Sequence, residues 1–278
     1  MPETPPAPSP DTPGTPASNA SFSGASVSGV SGGIGADGAA RHGRAVSSMF
    51  GRIAPCYDVL NLVLSCGIDR LWRRRLANSV RVGTTGRVLD LAAGTLDVAL
   101  ALRRRYPGVV VPAMDFCPPM LVRGLAKLHG SDAAHIHPVA ADAKRLPLPD
   151  ACVDSVTMAF GIRNILPRSE AFAEMLRVLA PGGRACMLEF GSGQRRIWGG
   201  LYNWYITRVL PRFGRWVSGD TGGEGQGEGA YTYLAETICR FPTAEALAEE
   251  MRQAGFARVW HHDLTSGITC LHIGEKAL

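Results

Sequence analysis

The stretch Arg87-Val-Leu-Asp-Leu-Ala-Ala-Gly-Thr-Leu-Asp97, followed by Val-Ala-Leu-Ala-Leu, decides the fold of this chain. Its apolar run from Val88 to Ala92 is interrupted only by Asp90 and is typical of a strand buried on both faces. The Ala- and Leu-rich segment after Asp97 favours a helix, and Gly94 lies in the tight turn between the two. Such a strand-turn-helix unit places a polar ligand at the carboxyl end of the strand. The stretch therefore predicts a ligand site in an α/β fold.

Strand and helix patterns alternate along the rest of the chain. Apolar runs predict further strands at 109–114, 136–141, 154–160 and 184–190 and a closing antiparallel hairpin at 256–262 and 267–273. Ser169 is predicted to cap a helix that Pro181-Gly-Gly183 ends, and Thr243 to cap a second helix. Parallel strands followed by a hairpin predict one α/β sheet whose C-terminal edge is reversed.

Composition divides the chain into a tail and one domain. The 278 residues, 46% hydrophobic and 19% charged, can bury one large α/β core. Residues 1–45 are rich in Pro, Ser, Gly, Thr and Ala and are predicted to be disordered. The domain is expected at 46–278, with short helices capping its mouth and an aromatic, basic and glycine-rich lid or insert at 195–235.

Charge and cysteine patterns exclude several classes of function. The net charge of +5 is distributed in short basic clusters, so nucleic acid is not an expected partner. The seven cysteines contain no C-x-x-C pair, which indicates a reducing compartment without structural zinc, and no ligand cluster suggests another metal. The sequence shows neither a signal-peptide pattern nor the ~20 apolar residues that span a bilayer. A cytoplasmic location is expected.

Two aspartates point to a nucleoside cofactor. Asp115 ends the second strand about 20 positions beyond the glycine turn, where folds of this kind bind ribose hydroxyls. Asp142 follows the third strand, and its carboxylate can accept a hydrogen bond from an adenine amine. The G-x-G-x-x-G pattern typical of nicotinamide-dependent oxidoreductases is missing around Gly94, which disfavours that alternative.

Several motifs resemble those of the ubiquinone/menaquinone biosynthesis C-methyltransferases. They extend from about residue 46 to the C-terminus and comprise Met49-Phe-Gly-Arg-Ile-Ala-Pro-Cys-Tyr-Asp58, Leu89-Asp-Leu-Ala-Ala-Gly-Thr-Leu-Asp97, Ala141-Asp-Ala-Lys-Arg-Leu-Pro147, Ala159-Phe-Gly-Ile-Arg-Asn164, Leu179-Ala-Pro-Gly-Gly183, Val217-Ser-Gly-Asp220 and Arg240-Phe-Pro242. The resemblance implies a class I methyltransferase fold, Rossmann-like, with a mostly parallel seven-stranded sheet, a reversed C-terminal strand and helices on both faces. It also implies S-adenosylmethionine as cofactor and a prenylated quinol, most simply a demethylmenaquinol, as substrate.

The resemblance assigns a cofactor site. The residues expected to bind S-adenosylmethionine are Asp90, Gly94, Thr95, Asp97, Asp115, Asp142, Ala143 and Ala159. One departure concerns Leu96, which stands where the family usually has a second glycine and is expected to crowd the cofactor. A non-catalytic protein that binds S-adenosylmethionine or a quinone therefore stays open, as does methylation of a benzoquinol in the ubiquinone pathway.

The chemistry that the resemblance implies needs a base and an oxyanion stabiliser. A ring carbon attacks the sulfonium methyl once a neighbouring hydroxyl of the quinol loses its proton. Arg163 stays protonated, so it is expected to stabilise the phenolate. Tyr57, Asn164 and Asp220 are expected to orient the ring or relay the proton, with Asp58 a weaker candidate, and the alternative is that these side chains brace the lid.

The segment 197–217 combines aromatic, basic and apolar residues. Trp198, Tyr202, Trp204, Tyr205 and Trp216 lie among arginines, a pattern suited to a membrane surface or to a lid over an apolar ligand. Because a prenylated quinol stays in the bilayer, peripheral contact with the inner face of the membrane is expected. The sequence leaves a monomer and a homodimer both open.

Overall fold

The residues of this computed structural model that can be described are 36–55, 57–65, 67–191, 233, 237 and 240–278. They form one seven-stranded sheet in the order β3-β2-β1-β4-β5-β7-β6. Its strands are β1 (Val88–Leu91), β2 (Val111–Asp115), β3 (Ile136–Ala140), β4 (Val153–Ala159), β5 (Leu179–Phe190), β6 (Arg258–Leu264) and β7 (Thr269–Glu275). Strand β7 runs antiparallel to both neighbours, and the other pairs are parallel. The predicted α/β sheet with a reversed C-terminal strand is confirmed.

Helices cover both faces of the sheet. They are α1 (Ala36–Ile53), α2 (Tyr57–Ser65), α3 (Asp69–Ser79), α4 (Asp97–Arg105), α5 (Pro118–Leu125), α6 (Ser131–His135), α7 (Arg168–Val178) and α8 (Ala244–Gln253), with a 3₁₀ turn at Ile162–Asn164. Alternate residues of β1 enter different cores, since Val88 packs with α3 and α4 while Leu89 packs with α7 and α8. Burial on both faces explains the continuous apolar run that predicted this strand.

Helix α1 begins inside the segment that composition predicted to be disordered. Residues 36–45, which composition assigned to the disordered tail, are helical in the structure. Ala39 and Met49 are buried on one side of the helix while Arg41 is exposed on the other. The small residues that suggested disorder instead let α1 approach the rest of the domain closely. Residues 1–35 and the predicted disorder there lie outside the described residues.

Strand β5 is longer than the sequence predicted. It begins at Leu179 and takes in Pro181-Gly-Gly183, which was expected to end the preceding helix. A Cβ at Gly183 would lie 2.9 Å from the carbonyl oxygen of Asp154, so only glycine fits where β5 approaches β4. Helix α7 ends at Val178, and it starts after Pro167 without the side-chain cap expected from Ser169.

The C-terminal elements agree with their predictions. The hydroxyl oxygen of Thr243 accepts a hydrogen bond from the amide of Ala246 at 3.2 Å, which caps α8 as expected.

Residues 195–232 of the predicted lid lie outside the described part of the chain. Within the described part, no helix combines the length and the apolarity needed to cross a membrane.

Candidate active site

A cavity of about 390 Å³ opens at the carboxyl ends of the parallel strands, where the sequence predicted a site. It lies between the ends of β1, β2 and β4 and the inner face of α1. The predicted site residues that line it are Tyr57, Gly94, Asp115, Asp142, Ala143, Ala159 and Asn164. One volume thus joins the residues expected to bind a nucleoside to two residues expected to act on a substrate.

The carboxylate of Asp115 is held at the cavity edge by backbone amides. Its Oδ2 accepts a hydrogen bond from the amide of Gly94 at 2.8 Å, and its Oδ1 accepts one from the amide of Cys117 at 2.7 Å. Burial raises the pKa of Asp115, and the two amides oppose this shift. Each carboxylate oxygen has a second lone-pair direction, so the group can still accept hydrogen bonds from a pair of hydroxyls.

The glycine turn carries a leucine in a left-handed conformation. Leu96 has φ +68° and is 0% exposed. Its side chain packs against Gly124 of α5, where an added Cβ would lie 2.5 Å from Leu96 Cγ. The leucine thus keeps the backbone shape expected of a glycine, and its side chain does not line the cavity. This position does not favour the expected crowding of the cofactor by Leu96, which stays a prediction for binding measurements.

Thr95 and Asp97 are engaged in a polar network outside the cavity lining. The Thr95 hydroxyl donates to Asp58 Oδ1 at 2.6 Å. Lys127 Nζ donates to Asp58 Oδ1 at 3.0 Å, to Thr95 Oγ1 at 2.9 Å and to Asp97 Oδ1 at 2.7 Å. A guanidinium nitrogen of Arg73 lies 3.4 Å from Asp97 Oδ2. The network ties α2 to the start of α4, so these side chains support the turn. No sequence motif pointed to Lys127.

Asp90 lies beneath the cavity in the middle of β1. It is 1% exposed, and its Oδ1 accepts a hydrogen bond from the Thr157 hydroxyl at 3.0 Å. Its Oδ2 is buried with no hydrogen-bond partner among the described residues. Burial raises the pKa of Asp90 to about 7. Asp90, which was predicted to bind the cofactor, is therefore buried within β1 and does not line the cavity.

Arg163 is paired with a glutamate that the sequence analysis missed. Its guanidinium contacts Glu189 Oε1, and the two side chains are 6% and 1% exposed. The guanidinium carbon lies 5.4 Å from the ring centre of Phe190. Arg163 does not line the cavity, and its Nε is buried without a partner in the described part of the chain. Glu189 could have been predicted in the same way as Asp115, because each is an acidic residue near the end of a buried strand.

Asn164, which lines the cavity, is hydrogen-bonded to Tyr233, a second residue that the sequence analysis did not identify. Its Oδ1 accepts a hydrogen bond from the Tyr233 hydroxyl at 3.1 Å. Burial raises the pKa of Tyr233, and the positive charge of Arg163 opposes this shift. Tyr233 falls in the predicted lid, where the sequence offered no specific signal. Asp220, the remaining predicted catalytic residue, lies outside the described residues.

The described residues contain no candidate metal cluster, and three of the histidines lie on strands away from the cavity. Among the described residues, no group of three or more His, Cys, Asp or Glu side chains could hold a metal ion. His261 and His262 lie on β6 and His272 on β7, the two strands at the far side of the sheet. The polar side chains that line the cavity include the Asp115 and Asp142 carboxylates, the Asn164 amide, the Tyr57 phenol and the His42 imidazole.

Comparison with curated proteins identifies several similar sequences. The chain is 45% identical to the demethylmenaquinone methyltransferase of Deinococcus radiodurans, over 84% of this chain and 93% of that protein. It is 44% identical to the demethylmenaquinone methyltransferase of Thermus thermophilus, over 82% and 100%. It is 43% identical to the ubiquinone/menaquinone biosynthesis C-methyltransferase UbiE of Geobacter sulfurreducens, over 85% and 90%.

Solved structures share the fold at low sequence identity. The [4+2]-cyclase SpnF matches with a TM-score of 0.60 at 17% identity, over 84% of this chain and 95% of that one. A possible histamine N-methyltransferase from Thermotoga maritima, described as S-adenosylmethionine-dependent, matches with a TM-score of 0.57 at 18% identity, over 82% and 98%. These likenesses support the class I methyltransferase fold alone.

A family model decides the assignment. The model of the ubiE/COQ5 methyltransferase family matches residues 39–276, which begins within α1 and includes every described strand. The match agrees with a cavity at the strand ends, a fixed acid at the tip of β2 and a glycine turn after β1. The chain belongs to the ubiE/COQ5 methyltransferase family and is an S-adenosylmethionine-dependent methyltransferase.

Proposed function

We propose that this enzyme transfers the methyl group of S-adenosylmethionine to a ring carbon of a prenylated quinol, a demethylmenaquinol, in respiratory quinone biosynthesis. The observation that carries the proposal is a single cavity that joins the Asp115 carboxylate to Tyr57 and Asn164. Its volume of about 390 Å³ is in the range of small-molecule sites. The names of the Deinococcus and Thermus relatives support the naphthoquinol ring.

The residues of the cavity fit S-adenosylmethionine. Asp115 has free acceptor directions for two ribose hydroxyls, and Asp142 can accept from the adenine amine. Ala143 and Phe116 supply apolar surface for the purine. The cofactor, when bound, supplies a methyl group on a positively charged sulfur. We therefore assign the nucleoside to the part of the cavity beside Asp115 and the acceptor ring to the part beside Asn164.

The acceptor side needs a group that favours the phenolate. Asn164 Oδ1 is occupied by the Tyr233 hydroxyl, so its amide nitrogen can donate to a ring oxygen. Arg163 adds positive charge behind Asn164 and is held in place by Glu189. We therefore assign Asn164 to ring contact and Arg163 to positioning and electrostatic support, with Tyr57 against the ring and Asp220 a candidate for the proton relay.

Replacing Arg163 by lysine tests this division of roles. A point charge can keep the ion pair with Glu189 but not the planar guanidinium that lies beside Phe190. Arg163→Lys is expected to lower kcat about 10- to 100-fold while the dissociation constant of S-adenosylhomocysteine changes less than about 3-fold. Equal losses in both quantities would assign Arg163 to the cofactor half of the site.

The identity of the ring is decided by a paired assay. Purified enzyme is incubated with labelled S-adenosylmethionine and either a demethylmenaquinol or the corresponding ubiquinol precursor, both with the same short prenyl chain. The proposal expects kcat/KM to favour the naphthoquinol at least about 10-fold, since a fused ring fills more of the apolar cavity. A preference for the benzoquinol would support the alternative substrate. If neither ring is methylated, the result would support the hypothesis of a non-catalytic binding protein. That hypothesis rested on Leu96, whose side chain does not line the cavity.

The membrane surface is the partner that this substrate requires. A prenylated quinol resides in the bilayer, so we propose that the enzyme acts from the cytoplasm at the inner face of the membrane. The support is the aromatic and basic composition of residues 197–217, which lie outside the described residues. Sedimentation with anionic but not neutral liposomes at low salt is expected, and a protein that ignores both would refute this partner.

A further inference from the structure

Helix α1 forms one wall of the cofactor cavity. Its inner face is a stripe of residues at helical spacing, and the opposite face carries the exposed side chain of Arg41. The stripe that lines the cavity includes Ala39, His42, Gly43, Val46, Ser47 and Phe50. Of these, His42 is the residue with an ionisable side chain that can both donate and accept hydrogen bonds. The helix therefore brings the His42 imidazole and the exposed Arg44 side chain to a wall whose other residues are mostly small or apolar.

One nitrogen of the His42 imidazole lacks a partner in the described part of the chain. Its Nε2 is buried and makes no hydrogen bond to any described residue. A buried nitrogen without a partner costs free energy, so such atoms are rare in folded proteins unless a ligand or water satisfies them. Because His42 also lines the cavity, a molecule bound there is the available partner.

The contacts of α1 place His42 near the nucleoside end of the cavity. An added Cβ at the adjacent Gly43 would lie 3.5 Å from the Phe116 ring. One turn further on, the Ser47 hydroxyl donates to the Phe116 carbonyl oxygen at 3.3 Å. Phe116 directly follows Asp115, the proposed ribose acceptor. The turn of α1 that carries His42 thus packs beside the ribose-binding strand end.

We propose that His42 Nε2 hydrogen-bonds to the adenosine half of bound S-adenosylmethionine. A ribose hydroxyl can donate and accept, so it suits either neutral tautomer of the imidazole. The cofactor is then held between Asp115 on the sheet and His42 on α1. This inference deepens the proposed function on its cofactor side and is independent of which quinol is methylated.

Calorimetry with two ligands tests the proposal. S-adenosylhomocysteine contains the whole cofactor skeleton, and 5′-methylthioadenosine keeps the adenosine but lacks the amino-acid group. His42→Ala is expected to raise the dissociation constants of both ligands about 3- to 10-fold, the loss of one hydrogen bond. His42→Gln, whose amide reaches a similar distance, is expected to recover part of the affinity. Arg41→Ala is the matched control, because Arg41 is exposed and donates a hydrogen bond to the Asp37 carbonyl oxygen of its own helix.

The melting temperature of the ligand-free protein separates binding from folding. Removing a buried group that has no partner is expected to leave this temperature unchanged or to raise it, while the shift caused by S-adenosylhomocysteine becomes smaller. Unchanged dissociation constants for both ligands would overturn the proposal. Weaker binding of S-adenosylhomocysteine alone would also overturn it, because His42 would then contact the amino-acid end. Neither measurement uses a quinol, so failure here is distinct from failure of the proposed methylation.

Discussion

Leu96 combines a strained backbone with a well-packed side chain. A left-handed conformation costs a non-glycine residue about 1–2 kcal/mol, whereas removing a fully buried leucine side chain costs about 2–5 kcal/mol. Packing outweighs strain, so Leu96→Gly is expected to lower the free energy of unfolding by about 2 kcal/mol. Affinity for S-adenosylhomocysteine should stay within about 2-fold, because the side chain does not line the cavity. Urea unfolding and calorimetry measure the two quantities.

Gly124 provides the control for this argument. A Cβ there would lie 2.5 Å from Leu96 Cγ, so Gly124→Ala is expected to cost about 1–3 kcal/mol by overpacking. The cost should shrink when Leu96 is already glycine, which makes the two changes non-additive. Tighter cofactor binding by Leu96→Gly would show instead that the leucine does crowd the site.

Asp90 makes stability depend on pH. Its folded pKa of about 7 lies above the ordinary value of 3.8, so the folded state holds the proton more tightly than the unfolded chain. The stabilisation from this group is complete below about pH 4 and is lost as pH rises to about 7. Asp90→Asn stays neutral, so its unfolding free energy minus that of the wild type should increase over this window by up to about 4 kcal/mol. Unfolding curves that keep a constant separation from pH 4 to 8 would contradict the raised pKa.

Helix α1 is predicted to be part of the cofactor site and not a dispensable tail. A chain that begins at Ala36 should bind S-adenosylhomocysteine as the full chain does, because residues 1–35 have a composition that builds no core. A chain that begins at Val46 loses Ala39, His42 and Gly43 from the cavity wall and should bind at least about 10-fold more weakly. Calorimetry on the two shortened chains makes the comparison. Equal affinity would show that α1 contributes nothing to binding.

Individual elements explain what the sequence could and could not predict. Asp115 was identified because a buried parallel strand carries its polar end residue to the ligand edge of the sheet, whatever the loops do. The first part of α1 was not predicted because its many glycines and alanines are typical of disordered segments. Its contact with Phe116, which involves Gly43, cannot be recognised from the sequence. The direction of Thr95, towards Asp58 and Lys127, depends on a partner far away in sequence.

At the scale of the whole molecule, the two halves of the site come from different parts of the chain. The sheet contributes Asp115 and the glycine turn, and α1 closes the cofactor side. On the proposed acceptor side, Tyr233 donates a hydrogen bond to Asn164, and the adjacent Arg163 pairs with Glu189. This arrangement separates cofactor binding from activation of the acceptor, so changes on one side should leave the other largely intact.

The most direct measurement follows a labelled methyl group. The enzyme is supplied with S-adenosylmethionine carrying ¹³C in its methyl group and with a reduced short-chain demethylmenaquinone, and the product is examined by mass spectrometry and NMR. We expect one added methyl group bonded to a ring carbon, with S-adenosylhomocysteine formed in equal amount. A methyl group on a quinol oxygen, or no transfer while S-adenosylmethionine remains bound, would contradict it.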